Sequence, residues 1–253
     1  MEVILCIVEG VKEEPKIIDS LKNIFLSDKV IVEILYGTSI YHLYSKIKED
    51  EDFEILEILK GMSIKNQDRL KGFKRNQISS IFLFFDQDSH NTNASEIKLE
   101  TLIHFFDNEY ENGKLYISYP MVEALRDIET LDNETDNLTC EWNVERNREY
   151  KSYVAKKLIE CKLTNLSVYK DYDINTWNCI NRYNWRKGNF LIKNEMSLPN
   201  YEVLSKFSQE VIFENQVAKM HQNKDIVTLS GFSFFIASYF RRERIEKILE
   251  NNY

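Results

Sequence analysis

The sequence predicts an α/β protein: a parallel four-stranded sheet flanked by helices over residues 1–130, then a mostly helical region over 131–253. Three observations predict it. In the first half, short and nearly continuous apolar runs alternate with stretches of helical periodicity, and parallel strands need such long connections. Gly (7) and Pro (3) are scarce among 253 residues, which disfavours the many tight turns of an all-β fold. Beyond about residue 135, apolar residues recur at three- and four-residue spacing, as in Tyr150, Val154 and Leu158, or Phe232, Phe235, Ile236 and Tyr239.

The elements follow in order. Val3 to Val8 is an apolar run that stops at Glu9-Gly10, the pattern of a strand buried on both faces. Glu14-Pro15 opens a helix with Pro15 at its first position, and Ile17, Ile18, Leu21, Ile24 and Phe25 form its inner stripe. Val30 to Leu35 is the second strand, and Gly37-Thr38-Ser39 turns the chain into a helix over Ile40 to Ile47. Phe53 to Leu59 reads as a short helix, and Lys65 to Arg75 as an exposed basic helix or loop. Ile78 to Phe85 is the third strand, ending in Asp86-Gln87-Asp88. Glu96 to Glu109 is an amphipathic helix with Ile97, Leu102, Ile103, Phe105 and Phe106 inward. Asn112-Gly113 leads into the fourth strand, Lys114 to Ser118, and Tyr119-Pro120 starts a helix that carries Glu123.

Composition narrows the function. The chain is 43% hydrophobic and 29% charged, so it buries a core and is globular. Its net charge of −8 counts against nonspecific coating of duplex nucleic acid, but a bound metal ion or a local basic patch can supply positive charge. Cys6, Cys140, Cys161 and Cys179 show neither a CxxC pair nor zinc spacing, which fits reduced thiols in a cytoplasmic protein. The opening Met1-Glu2-Val3-Ile4-Leu5 has no basic region or cleavage site, so no secretory signal is expected. The longest apolar stretch, Phe232 to Phe240, is too short to span a bilayer. Core packing is its ordinary role, and an oligomer surface is the alternative.

Ligands of open α/β sheets bind beyond the carboxyl ends of the strands. Glu9 ends the first strand, and Asp86 and Asp88 end the third. Adjacent strands would bring three carboxylates into one crevice, where they repel one another unless a cation intervenes. An all-oxygen donor set suits Mg²⁺ or Mn²⁺ far better than zinc. Such an ion polarises a phosphate and activates water, as phosphodiester cleavage requires.

Ile4-Leu5-Cys6-Ile7-Val8-Glu9-Gly10, with Phe84-Phe85-Asp86-Gln87-Asp88, resembles the TOPRIM domain of topoisomerases, primases, OLD-family nucleases and RloB-like proteins. Glu9-Gly10-Val11-Lys12-Glu13-Glu14 and Ser118-Tyr119-Pro120-Met121-Val122-Glu123 are similar to stretches of the RloB-like and OLD-type members. The resemblance covers roughly the first half of the chain. It implies Glu9 as metal ligand or general acid/base, Asp86 and Asp88 as metal ligands, and Glu13 and Glu123 as supporting carboxylates. It also implies a nuclease acting in bacterial anti-phage defence, sometimes beside an ATPase partner. No Walker A pattern occurs in this chain, so ATP use would belong to that partner. Nothing of the gyrase or primase accessory architecture is visible, which argues against topoisomerase or primase activity.

Lesser candidates stand beside these. Lys12 and His90 are placed to meet phosphate, against the ordinary readings of a solvated lysine and an exposed loop histidine. Trp177 to Phe190 interleaves aromatics with Arg182, Arg186 and Lys187, as single-strand binders do. An amphipathic segment with Trp177, Ile180 and Trp185 inward is the stronger reading. The expectation is therefore a Mg²⁺- or Mn²⁺-dependent nuclease acting on RNA or DNA in the cytoplasm. The alternatives are a non-catalytic binding or sensing subunit of a defence complex and, least favoured without a Gly-rich phosphate loop, a phosphotransfer enzyme acting on nucleotides.

Overall fold

A computed structural model of the chain describes residues 2–26, 29–49, 54–87, 94–131 and 139–250. They form two compact units, Met1–Tyr116 and Ile117–Tyr253. The junction thus falls inside the last strand of the sheet rather than near residue 130.

In the first unit β1 (Val3–Val8) is central. It pairs in parallel with β2 (Val30–Leu35) on one side and β3 (Ser80–Asp86) on the other. Val8 lies opposite Leu35 and Phe84, so β1 and β2 end together and β3 runs two residues further, to Asp86. Consecutive residues Ile4 to Val8 and Ile81 to Phe85 are all buried, so both faces of these strands are covered, as their unbroken apolar runs predict.

The sheet is larger than the predicted four parallel strands. Its order is β2-β1-β3-β5-β4, and β4 (Asp107–Asn108) pairs antiparallel with β5 (Gly113–Ser118), making the sheet mixed. Two residues carry no readable periodicity, so β4 is invisible in sequence. The same short strand ends the preceding helix, α5 (Glu96–Phe105), before the predicted Glu109. Within α5 the inner stripe is Leu99, Leu102 and Ile103, while Ile97 is 71% exposed rather than inward.

Helix α1 (Glu13–Phe25) buries Ile17, Ile18, Leu21 and Phe25 as predicted. Pro15 is its third residue, not its first. The position still suits proline, because first-turn N–H groups have no intrahelical partner. Next come α2 (Ile40–Glu49), α3 (Ile55–Met62) and α4 (Ile64–Leu70). Ser63 caps α4 by accepting from Asn66 N, and the Asn66 amide donates to the Leu35 carbonyl, tying the helix to β2. Phe53 lies outside the described residues.

The second unit is mostly helical, with a two-stranded antiparallel ribbon, β6 (Glu141–Asn143) and β7 (Asp225–Val227), that three-residue runs do not betray in sequence. The predicted helix after Tyr119-Pro120 is a single 3-10 segment, Val122–Arg126. Helices α6 (Asn147–Glu160), α7 (Ile174–Lys193), α8 (Tyr201–Leu204), α9 (Gln209–Asn223), α10 (Gly231–Tyr239) and α11 (Arg242–Glu250) complete the unit. Its core is built on α7, whose Trp177 and Trp185 are fully buried, and Trp185 Nε1 donates to the Ser233 carbonyl at 3.0 Å. Gln216 brackets β7 with two bonds, donating to Val227 O at 2.6 Å and accepting from Val227 N at 2.8 Å. Phe232 and Phe235 are buried, so the apolar stretch of α10 is core. Among the described residues no helix is long and apolar enough to cross a membrane.

Candidate metal centre

The carboxyl edge of the sheet draws together two of the predicted acidic residues. Glu9 follows β1 directly. Its main chain continues the ladder on both sides: Glu9 N donates to Phe84 O at 3.2 Å, and Gly37 N donates to Glu9 O at 3.0 Å. Its side chain turns toward β3, where Oε2 accepts the Asp86 N–H at 3.1 Å. Residues 77 apart in sequence are therefore joined at the point where β1 and β3 end. Both are half-buried.

The chain leaving β3 is anchored as well. The Tyr41 hydroxyl, from α2, donates to the Gln87 carbonyl at 2.9 Å. Gln87 is buried, and its Oε1 has no hydrogen-bond partner among the described residues. Asp88 and His90, the other nominated residues of this edge, lie outside the described residues. Among the described residues no group of three or more His, Cys, Asp or Glu is placed to hold a metal. Glu9 and Asp86 offer only carboxylate oxygens, hard ligands of the kind that suit Mg²⁺ or Mn²⁺.

Glu14, which sequence reasoning passed over for its neighbour Glu13, faces this edge. It is buried in the first turn of α1, and its Oε1 accepts the Gly10 N–H at 3.0 Å. The contact leaves no room at Gly10: an added Cβ would come within 2.5 Å of Glu14 Oε2. Glu13 pairs instead with Lys16 at 3.5 Å. Lys12 is exposed at the start of α1. Tyr36, just beyond β2, was also missed. Its ring packs edge-on against Phe85 at 5.4 Å, and its hydroxyl lies 3.3 Å from His42 Nδ1. Burial raises that hydroxyl's pKa above the ordinary tyrosine value, so it stays protonated. An apolar run followed by Tyr-Gly was the available signal.

The remaining nominees belong to the second unit. Glu123, in the 3-10 segment, is buried with the Lys151 ammonium 2.8 Å away. Arg186 is buried and donates through Nε to the Met196 carbonyl at 2.9 Å, which commits it to the core of the unit. Arg182 is half-buried, and burial lowers its pKa from the ordinary arginine value. The Trp177 to Phe190 segment is thus packed inward, as the amphipathic reading expects, rather than offered as a stacking surface.

The second unit also holds a buried charge cluster that the sequence did not announce. The Asp127 carboxylate accepts from Lys157 Nζ at 2.8 Å and from the Tyr150 hydroxyl at 2.8 Å. Lys187 Nζ donates to the Asp127 carbonyl at 2.5 Å and to Thr228 Oγ1 at 3.1 Å. Burial alone would raise the Asp127 pKa, but the two ammonium groups and the two hydrogen bonds outweigh it and hold the carboxyl below its ordinary value. Cys140, also influenced by Lys187, has its thiol pushed up to about 11, chiefly by burial.

Compared with protein-family models, curated proteins and solved structures, the chain matches none.

Proposed function

We propose that this protein is a divalent-metal-dependent TOPRIM-type nuclease that cleaves RNA or DNA phosphodiesters at the carboxyl edge of its sheet. One observation carries the reading: the Glu9 carboxylate reaches across to the Asp86 main chain at 3.1 Å, where two adjacent parallel strands end. Glu9 and Asp86, with Asp88, are the residues that would hold Mg²⁺ or Mn²⁺. When bound, the ion supplies a polarised phosphate oxygen and a more acidic water.

The chain's own residues set the stage. The Asp86 N–H fixes the orientation of Glu9, so a carboxylate stands where a proton must be taken up or a cation held. Tyr41 holds the main chain after Asp86 and limits its movement. Phe84 and Phe85, which lead into the edge, are buried and anchor the end of β3 in the core. The TOPRIM resemblance adds a biological setting, a defence effector working with an ATPase partner.

The test is cleavage of labelled tRNA, single-stranded RNA and DNA by the full chain, with Mg²⁺ or Mn²⁺, with and without a candidate partner. The expected result is cleavage that EDTA stops and that falls by about 100-fold or more in Glu9→Gln and in Asp86→Asn, with circular dichroism unchanged. Cleavage unaffected by either substitution, or none on any substrate, contradicts the proposal.

A further inference from the structure

The sheet unit carries a basic surface that the proposed chemistry leaves unused. Between Lys60 and Arg75 stand six cations, Lys60, Lys65, Arg69, Lys71, Lys74 and Arg75, against the single acid Asp68, in a chain of net charge −8. Such a concentration is unexpected in an acidic protein, and its structure is ordered rather than diffuse. Helix α4 ends in a turn in which Lys71 N donates to Asp68 O and Phe73 N to Leu70 O. Gly72 adopts φ +89°, a backbone conformation that a side chain would strain, and open space surrounds it. Arg75 fastens the far side, donating to the carbonyls of Ile78, Tyr110 and Glu111 at 2.6–2.9 Å. Arg75 is therefore spent on structure.

Lys65, Lys71 and Lys74 are exposed, and among the described residues no acid pairs with them. A groove of about 390 Å³ runs beside the turn, with Lys60, Gln67, Lys71 and Phe73 on its walls and Asp68 as its one acid. Phe73 is half-buried there, between two lysines at 71 and 74.

We propose that this Lys71-Gly72-Phe73-Lys74 turn and its groove bind single-stranded nucleic acid. The lysines meet successive phosphates and Phe73 stacks on an unpaired base. The turn precedes the amino end of β3, away from Glu9 and Asp86, so it is a second surface, and the inference rests on the nuclease reading for the class of ligand. Cations at a turn attract any polyanion, but an aromatic face set between them suits a base, and a base offers its face only when unpaired. The amide of Gln67 adds a donor and an acceptor at the groove wall.

The experiment measures binding without catalysis. Full-length protein in EDTA is titrated into a fluorescein-labelled single strand of about 20 nucleotides, longer than one such groove covers, with a duplex of the same sequence as competitor. Wild type is compared with Lys71→Glu/Lys74→Glu and with Phe73→Leu, which keeps apolar volume but loses the aromatic face. Melting curves confirm that each variant folds. Losing two phosphate contacts should weaken binding about tenfold or more and flatten the plot of log K against log salt by about 1.4. Phe73→Leu should weaken it about fivefold with the salt slope unchanged. Binding within twofold of wild type in either variant overturns the proposal, as does a wild type that binds no single strand or prefers the duplex. Metal-dependent cleavage is scored separately, so a protein that binds through this turn yet cuts nothing refutes the nuclease reading alone.

Discussion

Glu9→Gln separates two roles of one side chain. The amide keeps an oxygen that can accept the Asp86 N–H but loses the charge that a cation needs. The fold should persist, with a melting temperature within about 2 °C of wild type, while metal-dependent cleavage disappears. A variant that melts far lower would make Glu9 a structural clasp and not a ligand. Gly10→Ala should act the other way. Its methyl would meet the Glu14 carboxylate at 2.5 Å and displace it from the Gly10 N–H, at a cost of about 1–3 kcal/mol measured by denaturant titration. The same pair marks a limit of reading residues from sequence. Glu9 and Asp86 were legible because each ends an apolar run. Glu13 and Glu14 are adjacent acids in one helical turn, and only the direction of α1 decides which one points inward. Arg186 was no more legible, because its partner is a backbone carbonyl ten residues away.

At the scale of elements, strands β1, β2 and β3 and helices α1 and α2 were legible, because each carries enough residues to show a period. The two-residue β4 and the three-residue β6 and β7 do not. The segment after Tyr119-Pro120 was read as a helix, yet it makes a single 3-10 segment, and the following Asp127 joins Lys157 of α6 and Lys187 of α7. That junction predicts an acid sensitivity. The Asp127 carboxyl is held below its ordinary value, so it contributes stability above the unfolded-state pKa of about 3.9. The contribution is lost as pH falls further, through the folded-state value. Asp127→Asn should lose that acid dependence. At neutral pH it should also destabilise the helical unit by about 3–5 kcal/mol, because the buried Lys187 ammonium then loses its ion pair and Lys157 keeps only Glu129, at 3.4 Å. Urea titrations at pH 7 and pH 3 check both expectations, and an Asp127→Asn protein as stable as wild type at pH 7 would show that the cluster contributes no net stability.

For the whole molecule, the sequence announced two regions of different architecture, but it set the junction near residue 130, where the apolar spacing changes. Contacts set it at Tyr116, because the residues after β5 pack with the helices: Tyr119 bridges to Leu229, and Gly231 N donates to Ser118 Oγ. Overall charge was legible and misleading at once. A net charge of −8 describes the chain as a whole, while cations gather on one turn of the sheet unit. A protein that binds its metal only when folded gains stability from it. At a hundredfold excess over its Kd, Mn²⁺ should raise the melting temperature of the sheet unit by about 5–10 °C in wild type and not in Glu9→Gln. The most direct test is anomalous diffraction from crystals soaked in Mn²⁺. The account predicts a manganese peak about 2.1 Å from carboxylate oxygens of both Glu9 and Asp86. Manganese bound elsewhere, or at neither carboxylate in a well-ordered carboxyl edge, would contradict it.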